Sequence, residues 1–428
     1  MAFLFQFKNT AFLWLLILSS CGNQGKKANP ADEMSYLKTP EEALKTIRVG
    51  ANSVAAYMPI LEGKKIAVVA NQTSVIFKDG IRNKKLEMGD SESGRRPYTH
   101  IVDSLISLEV DIVKVFAPEH GFRGEADAGE HVTDGMDIKT GLPIISLYGK
   151  NRKPSQEQME DLNLVLFDIQ DVGVRFYTYI ATLQLVMEAC AEKGLPIVVL
   201  DRPNPNGHYV DGPVMEKEHT GFLGMTTIPL VYGMTIGEYA RMINEERWLN
   251  GGKKVDLTVI PLENYTHNAS YSLPIRPSPN LPNDTAINLY PSMGLFEGTN
   301  INAGRGTEDQ FQRYGAPFLD STQYDFKYTP LPNFGSKAPK HQGSVCFGKN
   351  LSKIPKMSRV SLEWIMDAYV NATDKKEVFN TSGFTKHAGT EKLQKQLEAG
   401  LSEEEIRKTW EAGLESFKKI REKYLMYP

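Results

Sequence analysis

The chain has 428 residues, 41% of them hydrophobic and 24% charged, enough to close substantial cores and, by length, to form two domains. A net charge of −3 without a long basic run argues against nucleic acid as a partner. Three cysteines do not make a disulfide framework.

Lys8 precedes the apolar run Ala11 to Leu18. That run is too short to cross a bilayer core of ~30 Å, which takes about 20 apolar residues. It suits the h-region of a secretory signal over residues 1–20. Leu18-Ser19-Ser20-Cys21 has the form of a bacterial lipobox, which would leave Cys21 as a lipidated N-terminus. Acyl chains anchor without a transmembrane helix, each buried methylene contributing about 0.8 kcal/mol. The expectation is an exported protein, periplasmic or anchored to the outer membrane through Cys21, with residues 21–45 as a polar tether. Cys190 and Cys346 are expected as two separate buried thiols.

From Lys64 onward, short β-branched runs alternate with helical patterns. Ile66 to Ala70, Ile112 to Ala117, Ile144 to Tyr148, Leu164 to Asp168, Ile197 to Leu200 and Leu257 to Ile260 read as strands. His100 to Leu108, Ser155 to Leu162, Tyr177 to Lys193 (stopped by Gly194) and Thr235 to Trp248 read as helices. This alternation predicts an α/β fold with a mainly parallel sheet covered on both faces, over residues 46–270. Beyond it, proline- and glycine-rich loops and helices at 361–372 and 391–424 predict a smaller α+β domain over 271–428.

Polar clusters follow the strands at Asn71-Gln72, Pro118-Glu119-His120, Asp168-Ile169-Gln170-Asp171 and Asp201-Arg202-Pro203-Asn204. Ligands of open α/β sheets bind at that edge, so the four are expected to converge on one site. No G-x-G-x-x-G loop, Walker A loop or G-x-S-x-G elbow is present, and no cofactor is expected. Glu119 directly follows an apolar strand, where desolvation disfavours the charged form of a carboxyl, the condition a general acid needs. A loop-capping carboxylate is the alternative. Glu119-His120 and Glu130-His131 invite a metal reading, but neighbours on an extended chain point to opposite sides and no ligand spacing is present, so no metal is expected. Arg175 could clamp a carboxylate, with Tyr177 and Tyr179 flanking a sugar ring, or it could pair with Asp171.

Several motifs occur in order: Asn71-Gln72-Thr73, Ala117-Pro118-Glu119-His120-Gly121, Ala128-Gly129-Glu130-His131 and Thr140-Gly141-Leu142-Pro143. Phe167-Asp168-Ile169-Gln170-Asp171-Val172-Gly173, Asp201-Arg202-Pro203-Asn204-Pro205, Glu297-Gly298-Thr299-Asn300 and Gly304-Arg305-Gly306-Thr307 continue them. Together they resemble the exo-β-N-acetylmuramidase NamZ family, from about Gly50 to Pro428. Ser74, where glycine is commoner, and the polar insert from Lys78 to Arg96 are departures. The resemblance implies a glycoside hydrolase removing terminal N-acetylmuramic acid from the non-reducing end of peptidoglycan fragments. It also implies a Rossmann-like domain, a smaller C-terminal domain and an active site between them.

On this reading Glu119 is the acid-base group, with His120, Asp168 and Glu297 as further catalytic candidates. Asp171, a tyrosine or the substrate's acetamido group are alternatives for the second role. Arg175 or Arg305 would clamp the lactyl carboxylate. Asn71, Arg123, Glu130, His131, Gln170, Asp171, Tyr177, Tyr179, Arg202, Asn204, Asn280 and Asn300 complete the candidate substrate contacts. Competing readings are a saccharide-binding surface lipoprotein without catalysis and a metal-dependent hydrolase built on His120 and His131.

Overall fold

The computed structural model describes residues 46–78, 97–124 and 134–428. Its first half runs α1 (Val54–Leu61), β1 (Ile66–Ala70), β2 (Val75–Phe77), β3 (Tyr98–His100), α2 (Ile101–Ser107), β4 (Ile112–Ala117), β5 (Gly135–Met136) and β6 (Pro143–Ser146). It continues with β7 (Leu164–Asp168), α3 (Tyr179–Lys193), β8 (Ile197–Leu200), β9 (Asp211–Val214), β10 (Pro229–Val231), α4 (Ile236–Glu245) and β11 (Leu257–Ile260). Seven strands form one sheet in the order β11-β8-β7-β1-β4-β6-β5. All neighbours are parallel except the edge pair β5 and β6.

Continuous apolar strands follow from burial on both faces. Ile66, Val68 and Ala70 of β1 pack in one core with Tyr57 and Leu61 of α1 and with Val102 and Leu105 of α2. Ala67 and Val69, pointing the other way, join α3 (Leu183, Val186, Met187) and α4 (Tyr239, Ile243). Gly194 closes α3 in the left-handed region at φ 73°, with its N–H bonded to the Cys190 carbonyl. Thr235 and Glu238 form a reciprocal capping box on α4.

The second half holds α5 (Asp284–Met293), the antiparallel sheet β12 (Arg313–Ala316), β13 (Phe326–Tyr328) and β14 (Cys346–Asn350), and then α6 (Glu363–Val370) and α7 (Thr381–Ala388). The final stretch is three helices, α8 (Lys392–Glu398), α9 (Glu403–Lys408) and α10 (Glu411–Arg421). Gly400 at φ 74° ends the first, and a Ser402–Glu405 capping box starts the next. Residues 155–162 were expected as a helix but form only turns, interrupted by Asp161 at φ 61°. One apolar cluster runs from Val69 and Phe167 through Tyr290, Phe311 and Trp364 to Phe417, so the core is continuous past residue 270.

Cys190 and Cys346 are buried and unbonded to each other, and burial pushes each thiol up to about 12. Among the described residues no helix is long and apolar enough to cross a membrane. The signal segment, Cys21, the tether, Glu130 and His131 lie outside the described residues.

Candidate active site

The chain leaves β1 toward β4 and β6, then returns to β7 on the other side, so the topological switch lies between β1 and β7. That crevice is filled by the chain itself. The Ser74 hydroxyl donates to the Asp168 carbonyl, and the Gln170 N–H donates to the Thr73 hydroxyl at 3.0 Å. Asn71, fully buried, accepts from the Thr73 N–H at 2.8 Å and from its hydroxyl at 2.6 Å. The Gln170 amide donates to the carbonyls of Asp171 and Pro203 at 2.7 and 2.6 Å. Asn71 and Gln170 therefore close the sheet end where substrate contacts were expected.

The same correction applies further along this edge. Asp168 is fully buried, and Arg202 grips it with Nε at 2.6 Å and Nη2 at 2.8 Å, so the carboxylate expected for catalysis and the guanidinium expected for substrate engage each other. Asp171 accepts from the Gly173 N–H at 2.6 Å and from the Tyr232 hydroxyl. Asn204 bonds the Asn206 N–H and the Met234 carbonyl, both at 2.8 Å, and packs under Gly173, where a Cβ would lie 2.2 Å from its Oδ1. Asn204 and Asp171 thus shape the loop from inside.

Arg175 is not a substrate clamp. It is fully buried and donates Nη1 to the carbonyls of Pro213 and Ile228 at 2.7 and 2.9 Å. Its Nη2 donates to those of His387 and Ala388 at 2.9 and 2.7 Å. It therefore fastens the first half of the chain to α7. The alternative, an i,i+4 pair with Asp171, is also absent from these bonds.

Glu119 remains at the open edge of β4, partly buried. Pro118 to Gly121 form a tight turn, the Gly121 N–H bonding the Pro118 carbonyl at 3.0 Å. His120 stands third in it at φ 70°, a place that favours glycine or asparagine. A buried histidine held there stores roughly 1–3 kcal/mol of strain next to Glu119. The Thr178 hydroxyl donates to Glu119 Oε2 at 2.9 Å, and the Tyr179 hydroxyl donates to the Glu119 carbonyl at 3.4 Å. Tyr148, just beyond β6, also bonds the Glu119 carboxyl; burial first, then that carboxylate, holds its phenol protonated.

Tyr177 and Tyr179 are walls, not sugar platforms. Both are nearly buried, their rings cross edge-to-face at 4.8 Å, and the Tyr177 hydroxyl donates to the Pro277 carbonyl at 2.7 Å. Tyr290 of α5 packs edge-to-face on Phe176 at 5.1 Å and on Phe311 at 4.8 Å. Burial raises its pKa, and both Glu297 and Glu119 add to that, so Tyr290 lies in the field of the two carboxylates.

Glu297 is bound by Arg305, Nε to Oε1 at 3.1 Å and Nη2 to Oε2 at 3.0 Å. Burial opposes its charge, but Arg305 and then Lys340 outweigh that and hold the carboxyl at about 2. Lys340 Nζ donates to the carbonyls of Phe296 at 2.9 Å, Glu297 at 3.3 Å and Thr299 at 2.6 Å, folding the loop around itself. Asn300 is exposed, with its amide on the Glu377 carbonyl at 2.7 Å. Asn280 is buried and holds the Gly335 carbonyl at 2.5 Å. Arg123 forks onto Asp137 at 2.8 and 2.7 Å, pinning its own loop to the β5–β6 edge.

Among the described residues, one group of three metal-ligating side chains gathers, Glu216, Glu218 and His219, without His120, and Lys392 occupies Glu216 at 2.7 Å. The sequence reading missed Thr178, Tyr148, Tyr290 and Lys340. Only Thr178 carried a signal, lying between two tyrosines already singled out.

The buried acids fix a pH dependence. Burial pushes Asp171 from 3.8 up to about 6 and Asp201 up to about 7. Each binds its proton more tightly folded than unfolded, so its contribution is full below pH 3.8 and is lost as pH rises through 6 and 7. Glu297 and Asp137, both held at about 2, act oppositely, losing their contribution as pH falls from about 4 toward 2. Urea midpoints are expected to decline between pH 6.5 and 8, above the range where His100, pushed down from 6.5 to about 4 by burial, counters the acids, with Asp201→Asn flattening the decline. A steady rise from pH 5 to 8 in the unmodified protein would sink this account.

Two structures from Bacteroides fragilis NCTC 9343, each described as a DUF1343 family protein, share the fold. One is 41% identical with a TM-score of 0.77, the other 26% identical with a TM-score of 0.71; each match covers 89% of this chain and 99% of the other. Peptidoglycan beta-N-acetylmuramidase NamZ of Bacillus subtilis (strain 168) is 35% identical over 444 residues, covering 98% of this chain and all of the relative. The family description "Exo-beta-N-acetylmuramidase NamZ, N-terminal" matches residues 66–285 and its C-terminal counterpart matches 288–427. The mainly parallel sheet, the smaller C-terminal part and these matches lead to one conclusion: the chain belongs to the exo-beta-N-acetylmuramidase NamZ family of glycoside hydrolases.

Proposed function

We propose that the protein hydrolyses peptidoglycan fragments from the non-reducing end, releasing terminal N-acetylmuramic acid, with Glu119 as the acid-base group. The observation that carries this is the Glu119 carboxyl itself. It sits partly exposed at the end of β4, oriented by Thr178 and Tyr148, while Asp168 and Asp171 are enclosed in the fold. Glycoside hydrolysis generally sets one proton-donating carboxyl against a second that stays charged. Glu297, held at about 2 by Arg305 and Lys340 against burial, is the second carboxylate on this reading. It acts as base, nucleophile or charge stabiliser. Arg305 keeps its candidacy as the lactyl clamp, and Arg175 loses it.

The reading is tested by product analysis on two disaccharides with opposite ends. N-acetylmuramic acid should be released when it is the non-reducing residue, and a fragment with N-acetylglucosamine at that end should survive. Cleavage inside longer glycans at comparable rates would overturn the exo-acting assignment. Tight binding without products would favour a saccharide-binding protein.

A further inference from the structure

We infer that Thr178 is the positioning residue of Glu119, holding its carboxyl in one orientation through both protonation states. The inference rests on the acid-base reading of Glu119 and goes beyond it by naming what aims the group. Thr178 is the N-cap of the 15-residue helix α3, where a threonine hydroxyl ordinarily accepts a backbone N–H of the first turn. Here no such side-chain cap forms. The hydroxyl is turned instead onto Glu119 Oε2 at 2.9 Å. The residue has little freedom to turn elsewhere: its side chain is 7% exposed, and its carbonyl accepts the Thr182 N–H at 3.0 Å and hydroxyl at 3.3 Å.

A hydroxyl suits this task because it both donates and accepts. It donates to Glu119 as carboxylate and can accept from Glu119 as acid, so the group need not turn when the proton leaves. The positive end of α3 adds a fixed field favouring the carboxylate. The titratable groups that face Glu119 include Tyr148 after β6, Tyr179 on α3 and Tyr290 on α5. Burial keeps all three phenols protonated, so they do not titrate alongside it.

The test is the pH profile of kcat/KM on a chromogenic N-acetylmuramide for Thr178→Val and Thr178→Ser, with melting curves. A hydrogen bond to the charged form of a carboxyl favours that form, so Thr178→Val should change the acid-base limb of the profile. Its kcat should fall about 10-fold or more while KM changes little, and serine should restore most of both. If valine prevents folding, Thr178→Ala is read in its place. A profile superimposable on wild type, or serine as impaired as valine, would overturn the role. The two readings fail separately. An active Glu119→Gln removes the acid-base assignment, whereas an inert Glu119→Gln with an unmoved Thr178→Val profile removes only Thr178.

Discussion

Glu119→Gln should reduce turnover of a chromogenic N-acetylmuramide by about 10²–10⁴-fold, the usual span for losing a general acid. Glutamine keeps the size of the side chain and can still accept the Thr178 hydroxyl, so the fold should be undisturbed. The melting midpoint is expected within about 2 °C of wild type, as for a substitution that breaks no packing. Glu119→Asp supplies a second reading of the same site. It keeps the carboxyl but draws it back by one methylene, away from Thr178, and misplacement by about 1 Å can cost 10²-fold. Near-normal turnover by the glutamine variant would take Glu119 out of the chemistry, whatever the aspartate variant does.

The second large effect is on stability. Arg175→Ala removes four enclosed hydrogen bonds, to the carbonyls of Pro213, Ile228, His387 and Ala388, of which only Ile228 keeps another donor shown among the described residues, the Met215 N–H at 3.0 Å. Burial alone lowers the guanidinium to about 9, a measure of how far it is from water. Each buried carbonyl left without a donor costs about 1–3 kcal/mol, so a loss on the order of 3–5 kcal/mol is expected. For a chain of this size that corresponds to a fall of roughly 4–6 °C in the melting midpoint. Lysine should rescue little, because one ammonium does not reproduce a planar fork serving both halves of the chain. Whatever folded protein remains should keep its preference for muramic acid over N-acetylglucosamine. An unchanged melting curve with a lost preference would restore Arg175 as a substrate clamp.

These two residues also mark what can be read from sequence. The strands were legible because a parallel sheet buried on both faces demands unbroken runs such as Ile66 to Ala70, and Gly194 announced the end of α3. Glu119 was legible because it follows such a run directly. What the letters do not carry is which side of a strand end faces solvent. Asp168, Arg202 and Arg175 look the same whether they grip a ligand or one another, and only packing decides. Their actual partners lie 34 residues away for the Asp168–Arg202 pair and up to 213 for Arg175. Tyr148 and Lys340 join the site through loops with no periodicity to predict where those loops go. The aromatic pair was half-legible: Tyr177 and Tyr179 do border the site, but their hydroxyls turn to the backbone and the threonine between them reaches the carboxylate.

Carbonyl-lined loops of the kind seen at 296–301 often close around a metal ion drawn from the medium. Here the ion is part of the polypeptide, since the Lys340 ammonium fills that position from a distant stretch of chain. An ion carried on a covalent tether cannot be diluted away, chelated or exchanged for one of another size. The loop presenting Glu297 therefore takes its shape from the gene rather than from the ionic composition of its surroundings, and it should hold that shape in rainwater as in brine.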